Sequence, residues 1–96
     1  MHKPLQAAAL RYDADTDDAP RVVAAGEGHL ARLLIERAKT SGVPVLEDAE
    51  LAGALMRVRL GEQVPSKVYY AVAKVLAFVY ALEKRAEAEA EDDPDR

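Results

Sequence analysis

The chain has 96 residues, half of them apolar, with 13 basic against 17 acidic side chains and a net charge of −4, which suits a single domain with one modest core. It contains no cysteine, which excludes a disulfide framework, thiolate metal sites and a thiol nucleophile and fits a cytoplasmic setting; no apolar run approaches the roughly 20 residues of a membrane span, and the N-terminus lacks a signal peptide's apolar stretch. Residues 83–96 hold seven acidic and three basic residues, so the rest is neutral, and the absence of a clustered basic run argues against nucleic-acid binding.

Leu5 to Tyr12 is a short apolar run closed by Asp13, Asp15, Asp17 and Asp18, whose carboxylates favour turns by bonding nearby amides. It reads as a strand and a loop, with a helix left open by its alanines on propensity alone. Pro20-Arg21-Val22-Val23-Ala24-Ala25 has β-branched residues, a proline at its first position and Gly26 after it, and is expected to form a second strand paired with the first as a hairpin. Leu30, Leu33, Leu34 and Ala38 recur at helical spacing, predicting a helix from about Glu27 to Thr40 that is stopped by Ser41-Gly42. Val43-Pro44-Val45-Leu46 then reads as a brief strand reached by a right-handed crossover and parallel to its neighbour.

Asp48 is placed to cap the next helix, whose face carries Leu51, Ala54, Leu55 and Val58. Gly61 to Pro65 breaks it, and Pro65 suits the first position of a last helix. There Val68, Val72, Val75, Leu76, Val79 and Leu82 make an apolar stripe, widened by Tyr69, Tyr70, Phe78 and Tyr80. Beyond Arg85 the alternating Ala and Glu residues extend the helix only in part, and Asp92-Asp93-Pro94-Asp95 reads as a solvated tail.

Little chemistry is visible. His2 and His29 are paired with no carboxylate or hydroxyl at the spacing of a metal site or triad, and the Asp13 to Asp18 cluster lacks the central glycine and closing glutamate of a calcium loop. No cofactor or metal is expected, and no enzyme. Arg57, Arg59, Lys67 and Lys74 read as a modest basic patch for an acidic partner or, more simply, as solvated helix faces.

Several stretches carry a resemblance, in order and at matching spacing: Ala9-Leu10-Arg11-Tyr12-Asp13, Ala19-Pro20-Arg21-Val22-Val23-Ala24, Gly42-Val43-Pro44-Val45-Leu46-Glu47, Leu51-Ala52, and Pro65 through Tyr80. They resemble the C-terminal cytoplasmic domain of the FlhB/YscU family of type III export switch proteins, from about Ala7 to Lys84. The segment from Ala71 to Tyr80 is distinctive in company with the others.

The resemblance implies a single α/β domain over residues 1–85, with a small mixed sheet of about three to four strands flanked by helices, and an acidic tail over residues 86–96. It implies a role in flagellar protein export, at the cytoplasmic face of the export apparatus and touching the membrane only through the export gate, with the full-length switch protein and rod or hook subunits as partners. A repurposed adaptor unrelated to export is the alternative. The family's apolar pocket for a short substrate motif corresponds here to Ala19, Pro20, Ala73 and Leu76; read from residues alone, Pro20 merely starts a strand and Leu76 is core.

Members of that family cut themselves between Asn and Pro of an Asn-Pro-Thr-His turn, by cyclisation of the Asn side chain. His2, Lys3, Pro4 and Leu5 stand at the matching positions, and the sequence has no asparagine anywhere, so that reaction lacks its reactant. The chain begins about where the family's released fragment begins. The strand preceding the cleavage turn is then expected to be missing, leaving a sheet edge open to a partner strand or to a second copy of this chain.

Overall fold

The computed structural model describes residues 4–91. Two strands, β1 (Gln6–Arg11) and β2 (Arg21–Glu27), form an antiparallel hairpin. They are joined through the acidic turn, where the Asp15 amide donates to the Asp13 carboxylate and the Asp13 amide to the Asp17 carboxylate, both at 3.0 Å. The helices α1 (His29–Thr40), α2 (Ala49–Leu55) and α3 (Tyr69–Glu91) follow, α3 entered through one turn of 3₁₀ helix at Ser66–Val68. Asp48 caps α2 as expected, its carboxylate accepting from the Leu51 amide at 3.0 Å; Pro65 stands one residue before the 3₁₀ turn.

The register pairs Ala7 with Gly26, Ala8 with Ala25, Ala9 with Ala24 and Leu10 with Val22, so Val23 is an extra residue on β2 and bulges outward, half exposed. α1 packs across both strands and α2 against β1. Gly26 makes the α1 contact possible: a Cβ there would sit 2.8 Å from the Leu30 Cβ and 3.1 Å from the Leu30 carbonyl carbon. The core is Val22, Leu51, Leu55, Val64 and Val72, with Leu10, Val58, Val68, Val75 and Leu76 among the residues packed around it.

Three expectations are corrected. Among the described residues the sheet has two strands, paired antiparallel, rather than three to four in a mixed arrangement. Residues 43–48 pair with no strand, and Val43, Val45 and Leu46 are exposed. The run is poorly equipped for a ladder: the Val43 amide is spent on the Ala38 carbonyl closing α1, at 2.8 Å, and Pro44 has no amide.

Secondly, the aromatics of α3 do not widen its buried stripe. Tyr70 is 77% and Tyr80 60% exposed, with Tyr69 and Phe78 also outside. A two-stranded sheet and a seven-residue α2 cover only one narrow side of a long helix, and Lys74 and Lys84 lie over the Tyr70 and Tyr80 rings, at 4.7 and 5.5 Å from their centroids. Leu82 is exposed as well. Thirdly, α1 buries Ala31 and leaves Leu30 and Leu33 exposed, because its close approach over Gly26 turns the small residue, not the leucines, toward the strands.

Candidate functional site

Ala19 and Pro20, just before β2, are both buried. The Pro20 carbonyl accepts from the Val64 amide at 2.8 Å, which ties the pair to the stretch leading into α3. Leu76 is half-buried against the core cluster that contains Val22 and Val64. Ala73, about 60° away round the helix, is exposed. Pro4 and Leu5 are exposed; His2 and Lys3 lie outside the described residues. His29 is exposed at the first turn of α1, and no group of potential metal ligands occurs among the described residues.

Two open grooves mark the surface, and neither is lined by Ala19, Pro20, Ala73 or Leu76. The larger, about 520 Å³, lies where the end of α2 meets the entry to α3; Ala54, Val58, Pro65 and Val68 supply its apolar lining and Arg57, Arg59 and Lys67 its cations. The other, about 310 Å³, runs along α1 between Ala25, Leu30, Leu33, Leu34 and Arg37. Sequence reading gathered the cations of the first groove, Arg57, Arg59 and Lys67, but could not see that the break at Gly61 folds them together. It missed the second by assigning Leu30 and Leu33 to the inner face.

The hairpin presents two unlike edges. Beside β2 runs the segment 61–64: the Val22 amide donates to the Glu62 carbonyl at 3.1 Å, the Gly61 amide to the Val22 carbonyl at 2.7 Å, and an isolated bridge joins Arg21 to Gln63. The Arg21 guanidinium adds a bond to the Gly61 carbonyl at 2.8 Å. Along β1, among the described residues, no backbone group of Gln6–Arg11 bonds to anything outside the β1–β2 ladder. That side is an unpaired strand edge.

Comparison with known proteins gives these surfaces a context. A model of the FlhB, HrpN, YscU and SpaS family matches residues 5–79. The chain is 40% identical to the uncharacterized protein YlqH of Bacillus subtilis, over 82% of this chain and 85% of that protein. It is 44% identical to the flagellar biosynthetic protein FlhB of Escherichia coli over 79% of this chain but only 20% of FlhB, so it spans about a fifth of that relative's length. Among solved structures, the cytoplasmic domain of FlhB from Shewanella putrefaciens superposes with a TM-score of 0.75 at 31% identity, covering 83% of this chain and 67% of that one. No helix among the described residues is long and apolar enough to cross a membrane.

Proposed function

The chain belongs to the FlhB, HrpN, YscU and SpaS family, and from that premise we propose that it is a non-enzymatic component or modulator of flagellar type III protein export. In this reading it binds export substrates, or the switch protein at the export gate, in place of that protein's C-terminal cleavage fragment. The observation that carries the proposal is the superposition on an FlhB cytoplasmic domain over most of the chain. Residues 1–85 act as the binding domain and 86–96 as an acidic appendage, although α3 itself continues through Glu91.

The absence of asparagine supports a non-enzymatic role, since side-chain cyclisation has no reactant. The unpaired β1 edge supports a partner that adds a strand, such as the N-terminal remainder of a full-length switch protein. The half-burial of Leu76 against the core cluster that holds Val22, with Ala73 open to solvent, supports a short apolar substrate motif seated between β2 and α3.

The burial of Ala19, at 3% exposed, favours a second reading, an adaptor unrelated to export, because a buried pair offers little surface to a peptide. Binding of the intact chain to a rod or hook subunit peptide, and to the N-terminal remainder of the switch protein, separates the two. Ala73→Asp places a charge on the apolar surface and is expected to weaken peptide binding at least about tenfold while the fold is kept. Equal binding by both proteins removes the pocket, and binding to neither partner favours the adaptor.

A further inference from the structure

Arg57, Arg59 and Lys67 are all exposed and line one groove, the first two from the turns that follow α2 and the third from the 3₁₀ turn that opens α3. None of the three has an ion-pair partner among the described residues, where the one ion pair is Arg21 with Asp17 at 3.5 Å. The groove's lining holds a single carboxylate, Glu62. Lys74 does not belong to it, being drawn over the Tyr70 ring instead. Three cations thus face one anion in a chain whose net charge is −4, a local excess of positive charge against the overall sign.

The floor between these cations is apolar, with Ala54, Val58 and Val68 half-buried beside Pro65. Its backbone is already fixed. The Arg57 amide donates to the Ala54 carbonyl at 3.3 Å, the Val58 amide to the Leu55 carbonyl at 3.1 Å and the Glu62 amide to the Arg59 carbonyl at 3.1 Å, while the Val22 amide of β2 holds the Glu62 carbonyl at 3.1 Å. A groove held in this way loses little conformational freedom when a ligand enters it. The start of α3 adds to the charge, since no side chain caps the 3₁₀ turn and the first turn of the helix carries no acidic residue.

This combination selects a class of ligand. Guanidinium groups take carboxylates through paired N–H donors, and the apolar floor calls for a side chain between those carboxylates, which a phosphate or a nucleic-acid backbone does not supply. We infer that the groove is a docking site for an acidic segment of a partner protein, its carboxylates pairing with Arg57, Arg59 and Lys67 and an apolar side chain between them lying on Ala54, Val58 and Val68. The lining shares no residue with Ala19, Pro20, Ala73 and Leu76 or with β1. The inference therefore stands under either reading of the partner given above.

Fluorescence anisotropy of the full chain with a labelled Glu-Glu-Leu-Glu-Glu peptide tests it. Binding is expected at about 10 mM salt, where charges act over roughly 30 Å, and should weaken at least about tenfold at about 1 M, where the range is roughly 3 Å. Replacing the glutamates by glutamine, or the leucine by serine, should each weaken it, as should the double variant Arg57→Glu with Arg59→Glu, by at least about tenfold. Glu62→Gln removes the one opposing carboxylate and should tighten binding about twofold to fivefold, the worth of an exposed charge contact, a gain that misfolding would not produce. Ala73→Asp should leave the affinity unchanged, which separates this groove from the substrate pocket. No binding at low salt, equal binding by the Arg57→Glu, Arg59→Glu protein, loss of binding in Ala73→Asp, or equal affinity for an oligothymidylate of the same charge would each overturn the proposal.

Discussion

The two edges of the hairpin differ in what lies beside them, and the difference divides the molecule. Along β2, residues 61–64 supply backbone partners, and behind them Val22, Leu55, Val64 and Val72 form the best-buried part of the core. Along the outer edge of β1 no strand lies alongside among the described residues, and the exposed apolar residues gather elsewhere: Val43, Val45 and Leu46 after α1, Leu30 and Leu33 on it, and the tyrosines of α3. Folding free energy is concentrated on the closed edge, while the remaining apolar surface is left for association.

Substitutions can break or sharpen that contrast. The largest effect is expected from Leu55→Ala, which opens a cavity beside Val22 and Val64; a loss of about 2–5 kcal/mol should lower the melting temperature by about 10 °C or more for a domain of this size. Arg21→Ala removes the guanidinium bond to the Gly61 carbonyl and should cost about 1 kcal/mol by urea denaturation, which measures how far the 61–64 segment depends on that side chain. Leu33→Ser, on the exposed face of α1, should change stability by no more than about 0.5 kcal/mol. Should Leu33→Ser cost as much as Leu55→Ala, the two regions would not be energetically distinct.

Local signals in the sequence were reliable where a single element decides the outcome. The acidic turn, the hairpin and the Asp48 cap all depend on residues within a few positions of one another, and each is found as read; Pro65, read as the first residue of the last helix, instead stands in extended conformation before a 3₁₀ turn, and α3 begins at Tyr69. What escaped depends on distant partners. The pairing of Arg21 with Gln63 joins residues far apart in the chain with no periodicity to announce it. Val43 to Leu46 has a strand's composition, but α1 takes the amide of its first residue. The tyrosines of α3 extend a hydrophobic stripe on a helical wheel, yet the wheel does not say how much of the helix the rest of the molecule is wide enough to cover. Of the pocket residues, Leu76 was legible as near-core from spacing; the burial of Ala19 was not, since no pattern displays the bond by which the Val64 amide holds the neighbouring Pro20 carbonyl.

The bulge at Val23 has a consequence for how β1 finds its place. Ala7, Ala8 and Ala9 face Gly26, Ala25 and Ala24, and sliding one alanine run past the other by two residues would change almost nothing in shape or chemistry. A regular hairpin of this composition would have nearly degenerate alignments. The extra residue removes the degeneracy, because only one alignment opposes Leu10 to Val22 while the bulge takes up Val23. The outward valine acts as a notch that fixes the position of an otherwise featureless strand.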